Sequence, residues 1–300
     1  MRSLYQAILA SLSALILLAG CAVGPDYAPP SQYSLQLPVS FGQPPAGVTE
    51  GAVEVAWWRS FDDPALTSLV QRALAANHDV GIAAARLDEA KALLGESCQG
   101  LLPSGGSSLS YENRRRSEVE TAPGQPHRTE SYCVAVDASW EIDLFGRVRR
   151  SVEAAQAQAG SRAALLHGVQ ASVAAAVAAT WFELQGVEAE LAVVTDIRQS
   201  QRESLRLVEG LVKAGSANEL DRLRAEGLLR SVEVAVPELE RRRSAFTNAL
   251  AVLLGEAPQA FTPPAATLAH ETLRVKTIAV GDPATLLARR ADIAAAERKL

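Results

Sequence analysis

Residues 165–194 read LLHGVQASVAAAVAATWFELQGVEAELAVV. Leu166, Val169, Val173, Val177, Trp181, Leu184, Val187, Leu191 and Val194 recur three and four apart, the spacing of one helix face. The stripe continues through Ile197, Leu205, Val208 and Val212, and residues 146–214 contain no proline. At about 1.5 Å per residue this predicts a rod of roughly 100 Å, which no compact 300-residue domain contains. The stripe calls for a coiled-coil partner, and Ala174, Ala175, Ala176, Ala178 and Ala179 let one approach closely on more than one side. Gly215 ends the rod. Residues 216–219 read as a turn and cap into a return helix bearing Leu220, Leu223, Val232, Val236, Leu239, Phe246, Leu250 and Leu253, with a kink expected at Pro237 and a stop at Gly255.

Composition agrees with a long coiled coil. The chain is 48% hydrophobic but holds only 4 Trp, 5 Tyr and 6 Phe, few of the rings that fill strand-rich sandwiches. Net charge is −5, with 29 basic and 34 acidic residues interspersed, so no basic surplus exists to neutralise phosphates, and no nucleic-acid partner is expected. Disorder is disfavoured by the same balance.

Upstream of the rod, Tyr132, Val134, Val136, Ala138 and Trp140 alternate with Ser131, Cys133, Ala135, Asp137 and Ser139. That is a strand with one apolar face, expected to face lipid. A weaker strand runs from Ser104 to Arg116, and Pro123-Gly124 marks the loop between them. Each is about the 9 to 11 residues that cross a bilayer at a tilt. The strand geometry sets Cys98 and Cys133 too far apart to bond. Before the strands, Asp63 and Pro64 open a helix carrying Leu66, Leu69, Val70 and Leu74, which breaks at Asn77-His78-Asp79 and resumes from Val80.

At the N-terminus, Arg2 precedes a mostly apolar stretch with Ile8, Leu9, Leu12, Leu15, Ile16 and Leu17, too short for a comfortable span and suited to a signal peptide. Leu18-Ala19-Gly20-Cys21 resembles the bacterial lipobox, which implies cleavage before Cys21 and acylation of its thiol and amine, with Ala22 favouring the outer membrane. That covalent lipid is the only cofactor expected. The leader that follows is rich in Pro, Gly and Ser, and reads as a tether. His78, His127, His167 and His270 are scattered, so no metal site is expected, and no catalytic constellation is found: Asp62-Asp63 suits helix capping, and Glu141 and Asp143 flank a strand exit. Arg114 to Arg116 read as a loop flank or a lipid-headgroup contact, and Arg241 to Arg243 as the wet face of the return helix. Finally, the stretch from Asp79 to Leu87 is echoed from Asp292 to Leu300 at a constant offset, and Pro64 and Pro283 each open a preceding helix.

Five motifs carry a family resemblance: the lipobox; Gly24-Pro25-Asp26-Tyr27; Trp57-Trp58 with Phe61-Asp62-Asp63-Pro64; the strand exit Trp140-Glu141-Ile142-Asp143-Leu144-Phe145-Gly146-Arg147; and Leu253-Leu254-Gly255. Together they resemble the outer-membrane efflux proteins of the TolC family, in its lipoprotein (NodT-type) branch. The resemblance implies a duplicated repeat, each copy giving two strands and a long helical hairpin. A homotrimer then builds one barrel continued by a periplasmic tunnel, a passive exit duct for small molecules that docks on a periplasmic adaptor driven by an inner-membrane transporter. Gly215, Asn218 and Asp221 at the hairpin turn are the implied adaptor contacts; ordinary turn chemistry explains them equally.

The fold class expected is mainly α with a membrane β-hairpin: a long antiparallel coiled-coil α-hairpin plus transmembrane strands of an oligomeric α/β-barrel. The expected divisions are signal peptide 1–20, lipidated leader 21–56, periplasmic helices 57–100, transmembrane strand pair 101–145, periplasmic α-hairpin 146–255, and linker plus the start of a second repeat 256–300. One repeat per chain gives a trimer about six strands, below the 8 of small barrels. The length therefore reads as a fragment of a longer protein or a truncated, non-functional product, or calls for six chains in place of three. A different class, a periplasmic adaptor or structural coiled-coil lipoprotein, would also be acylated, but should flank its hairpin with soluble β-segments.

Overall fold

The computed structural model describes residues 23–28, 42, 47–49, 54–117, 119–265 and 278–299. The signal peptide, Cys21 and most of the leader lie outside these. In chain order the elements are β1 (Val48–Thr49), a 3-10 turn (Trp57–Phe61), α1 (Pro64–Ala76), α2 (His78–Gln99), β2 (Ser104–Arg115), β3 (Arg128–Ser139), α3 (Arg147–Lys213), α4 (Glu219–Leu253), β4 (Ile278–Ala279), α5 (Pro283–Arg289) and α6 (Ala291–Glu297). They pack as two units. One is built on Asp88–Ser161 with described residues 23–28 and 298–299; the other on Arg162–Glu297 with described residues 42, 47–49 and 54–87.

The second unit holds the apolar core. Asp63 caps α1, its Oδ1 accepting from the Ala65 and Leu66 amides at 2.8 and 3.0 Å, and Pro64 occupies the first turn, where its missing N–H costs nothing. Leu66, Leu69, Val70 and Ala73 then fall on one buried face. They share a cluster with Val173, Ala174, Val177, Trp181 and Leu184 of α3 and with Leu250 and Ala251 of α4. This part of α3 is long and apolar enough to cross a membrane. Its buried residues Val173, Ala174, Val177, Trp181 and Leu184 pack on α1 and α4, and it binds a carboxylate: Asp63, 2% exposed, accepts from the Trp181 indole Nε1 through Oδ2 at 2.7 Å. The 3-10 turn adds aromatic edges, Trp57 to Trp58 at 6.0 Å and Phe61 to Phe182 at 5.0 Å between centroids.

The break at residue 77 is a second capping point. Asn77 Oδ1 accepts from the Asp79 and Val80 amides at 2.9 and 3.2 Å, while its Nδ2 donates to the Leu253 carbonyl at 2.9 Å. One buried side chain thus opens α2 and receives the end of α4. Gly255 follows with a Schellman closure, Glu256 N–H to Ala251 O at 2.9 Å. A Cβ at Gly255 would run into the Ala76 carbonyl. The α4 helix continues through Pro237 rather than ending there. Ion pairs tie α4 to α3: Arg202 to Glu233 at 3.1 Å, Arg242 to Glu190 at 3.4 Å and Arg243 to Glu188 at 3.1 Å. Of the arginines read as a wet face, Arg242 and Arg243 reach across the helix pair while Arg241 pairs with Glu238 within α4, and all three side chains stay open to solvent, so each pair contributes only about 0–1 kcal/mol.

The internal repeat has a structural counterpart. Asp282 caps α5 through the Thr285 amide at 2.6 Å with Pro283 in its first turn, as Asp63 and Pro64 do for α1. The helix then breaks at Arg290, and α6 carries Asp292 in its first turn as α2 carries Asp79. β1 was not foreseen: Val48 and Thr49 pair in parallel with Ile278 and Ala279, so this part of the leader is not a free tether.

Trp181→Phe keeps the ring but strands Asp63 Oδ2 in the core. A buried acceptor left without its donor costs about 1–3 kcal/mol, more when charged. Thermal unfolding of Trp181→Phe should show a loss of at least that size; Phe182→Leu, which removes no hydrogen bond, should cost less.

Candidate functional site

The two twelve-residue strands pair antiparallel with an unbroken register from Ser104↔Ser139 to Arg115↔Arg128. Directly paired residues share a face, so Tyr132, Val134, Val136 and Ala138 line up with Tyr111, Leu109, Ser107 and Gly105. The Tyr111 and Tyr132 rings meet at 4.8 Å. The other face holds Ser104, Gly106, Ser108, Ser110 and Glu112 against Ser139, Asp137, Ala135, Cys133 and Ser131. Both faces lie open in the single chain, and Val134 and Val136 are 75% and 83% exposed. Among the described residues β2 and β3 pair only with each other, so each leaves one edge without a strand partner. Trp140, expected at the end of the lipid-facing row, lies one residue beyond β3, because pairing ends at Ser139. Its indole donates instead to the Leu101 carbonyl at 3.3 Å. Cys98 and Cys133 are both free and exposed.

Below the strands, the exit motif turns the chain into α3 with charged clasps. Glu141 accepts two hydrogen bonds from Arg147, at 2.9 and 2.5 Å. Asp143 accepts from the Arg149 amide at 2.9 Å and so caps the new helix. The Glu141 carboxyl is held below its usual value chiefly by the Arg147 hydrogen bonds. For Asp143, loss of solvent pushes upward, but the Arg149 and Val148 amides together with the Arg149 side chain outweigh it, so its carboxyl also lies low. Sequence reading gave these residues a flanking role only. It also missed Arg150, which donates to the Gly24 carbonyl at 3.0 Å and to Asp26 at 2.8 Å, while the Val23 amide donates to the Phe145 carbonyl at 3.1 Å. The start of the leader is thereby fixed to the strand exit. No local pattern announces a contact spanning about 120 residues.

At the opposite end of α3, Gly215 (φ +72°) takes the left-handed conformation of a Schellman closure, with Ser216 N–H to Leu211 O at 2.8 Å. Asn218 then starts α4 in a capping box: its Oδ1 accepts from the Asp221 amide at 3.0 Å, and Asp221 accepts from the Asn218 amide at 3.3 Å. Arg222 ties Glu219 and Glu226 at 2.6 and 2.9 Å. The turn is thus locally self-sufficient, leaving Leu211, Leu220 and Leu223 exposed beside it. Gly215, Asn218 and Asp221 come together as the sequence placed them, by turn chemistry. Cys21 lies outside the described residues.

An amphipathic strand pair feeding a 67-residue helix that folds back on a second helix defines a class of chain, part membrane-type strand and part coiled coil. The chain belongs to the outer membrane efflux protein family, whose model matches residues 69–256. It is 29% identical over 287 residues to Nodulation protein T of Rhizobium leguminosarum bv. trifolii, covering 95% of this chain and 60% of that one. It is 31% identical over 292 residues to the solvent efflux pump outer membrane protein SrpC of Pseudomonas putida, covering 96% and 61%. The fold matches the outer-membrane channel OprN with a TM-score of 0.77 at 33% identity, over 93% of this chain and 62% of that one. The CmeC outer membrane channel of Campylobacter jejuni gives a TM-score of 0.75 at 20% identity, a likeness of fold alone. The chain spans about 60% of the length of these relatives.

Because the folded carboxyls of Glu141 and Asp143 titrate below their usual values, their contribution is complete above about pH 4, the ordinary range for such groups, and is lost as pH falls through the lower folded values. Hydrogen exchange at the first turn of α3, corrected for intrinsic rates, should show level protection from neutral pH to about pH 5 and a drop only below about pH 4. Glu141→Gln should lower that protection at neutral pH and flatten the acid step.

Proposed function

We propose that this chain contributes one strand pair and one helical hairpin to an outer-membrane exit duct of a tripartite efflux system, through which drugs or other small molecules leave passively. The observation that carries the reading is the strand pair: one apolar face, one polar face and two edges unpaired among the described residues, on strands of membrane-crossing length. Unpaired backbone groups cost several kcal/mol each in lipid, so the edges must be closed by further strands. The assembly is read as a homo-oligomer, a trimer if the chain assembles as the resemblance implies. Two strands per copy give a trimer six, and common barrels need 8 or more, so the complete duct draws on strands beyond this pair. The apolar row from Tyr132 to Ala138 faces lipid, and the Ser-rich row faces the lumen.

The names of the relatives support the export role, since they include pyoverdine export, toluene efflux and solvent efflux proteins of the outer membrane. In this reading Cys21 carries the lipid anchor, the hairpin extends into the periplasm, and the turn at Gly215, Asn218 and Asp221, with Leu211, Leu220 and Leu223 beside it, meets the adaptor that links the duct to an inner-membrane transporter. The chain has no enzymatic task in it; the work is done by the pump.

Expressed with its own leader, the protein should fractionate with outer membrane and migrate in gels in a heat-modifiable form. A soluble monomer after removal of lipid overturns the duct. The faces can be told apart by two neighbours near mid-strand. Val134→Arg puts a charge into lipid at a cost of about 2–4 kcal/mol and should abolish the heat-modifiable form. Ala135→Arg, on the polar face, should retain it.

A further inference from the structure

The apolar face of the strand pair ends in charge. Past the Tyr111–Tyr132 rings the same face carries Asn113 against Glu130 and then Arg115 against Arg128, the last pair of the ladder. Like charges set directly opposite each other destabilise a strand pair. The backbone nonetheless holds them there, and beyond them the Arg116 amide donates to the His127 carbonyl at 2.8 Å. Arg128 is steadied by Asn113, whose Oδ1 accepts from its Nε at 3.1 Å and whose Nδ2 donates to the Tyr111 hydroxyl at 3.1 Å. Glu130, 3.5 Å from the Arg128 Nε, is the one carboxylate on this face of the two strands. Among the described residues no ion pair reaches Arg115, so the face keeps an arginine in excess. The opposite face differs, because there Arg114 is paired with Glu112 at 3.0 Å.

The basic pair also stands at a defined height. Tyr111 and Tyr132 close the apolar row as aromatic residues do at a bilayer interface. Arg115 lies further along the same strand, by about 14 Å at about 3.4 Å per residue, which is about 10 Å along the membrane normal at a tilt of about 40°. A phospholipid headgroup layer is only about 5–7 Å deep.

We propose that Arg115 and Arg128 form a phosphate clamp for lipopolysaccharide of the outer leaflet, gripping phosphates carried on its sugars. The inference rests on the reading above that this face meets lipid with the strand exit toward the periplasm, which puts the Arg115–Arg128 end outermost. Guanidinium groups present donors in a fork that matches phosphate oxygens, and one phosphate between two of them turns a repulsive pair into an attractive one. The choice of lipid follows from the height: the phosphates of a phospholipid lie below the pair, whereas those of a thick sugar headgroup lie level with it.

The test uses the full chain expressed with its own leader in a Gram-negative host. Its heat-modifiable assembly is extracted from outer membranes, stripped of lipid in detergent and titrated, with bound lipid counted by native mass spectrometry. The probes are rough lipopolysaccharide, the same lipopolysaccharide freed of its phosphates, and phosphatidylglycerol. The clamp predicts that removing the phosphates weakens binding by about tenfold or more, as expected for losing charge-assisted bonds. Arg115→Gln breaks no side-chain ion pair among the described residues and should weaken binding about tenfold as well. Arg114→Gln, the same loss of charge on the other face, should leave it unchanged. Equal binding of the phosphate-free form, equal binding by Arg115→Gln, or an equal loss in Arg114→Gln overturns the clamp while the duct reading stands. Phosphatidylglycerol binding as tightly as lipopolysaccharide overturns the assignment of the lipid. Absence of any heat-modifiable form overturns the duct reading, and the clamp with it.

Discussion

Two strands of twelve residues satisfy each other along one side and, among the described residues, leave a row of N–H and C=O groups open along the other. In water that is an aggregation hazard; in lipid it is forbidden at several kcal/mol per group. The strand pair is also open on both faces, so no packing among the described residues justifies its apolar row. Everything distinctive about this protein answers that constraint. In the proposed duct the row of Leu109, Tyr111, Tyr132, Val134 and Val136 faces lipid, further strands close the edges, and the opposite row of serines faces water.

The helical unit is held by its own core. The 67-residue α3 is too long to be stabilised by local propensity, and its apolar stretch is committed to α1 and α4 through Val173, Val177, Trp181 and Leu184. The Asp63 carboxylate does two jobs there, capping α1 with one oxygen and receiving the Trp181 indole with the other. Asn77 does the same between α2 and the end of α4. Buried polar groups of this kind stabilise only when every member is paired, which makes them sensitive to single substitutions and effective at fixing one arrangement of helices.

What the sequence made legible was local. Period-two alternation located β3, helical spacing located α3 and its return, and the Gly215 to Asp221 turn announced its Schellman closure and capping box because those motifs need only neighbouring residues. The misses are long-range. The Asp63–Trp181 bond, the Arg150–Asp26 ion pair and the pairing of Val48 with Ile278 join residues that no periodicity relates. In the leader the contacts of Val23, Gly24, Asp26, Val48 and Thr49 went unread for this reason: prolines exclude long regular elements, yet they leave single backbone amides such as that of Val23 free to bond. Trp140 was misplaced by one position, since alternation marks a face and cannot mark where pairing stops. The repeat was legible because both copies reuse the same Asp-Pro helix start, at Asp63-Pro64 and Asp282-Pro283.

The central claim, that β2 and β3 cross a bilayer with Tyr132, Val134, Val136 and Ala138 toward lipid, is tested most directly by spin labels placed singly along residues 131–138 of the membrane-assembled protein. Relaxation by oxygen, which partitions into lipid, should peak at the even positions and relaxation by a water-soluble nickel complex at the odd ones. Equal exposure of all positions to the nickel complex would contradict the account.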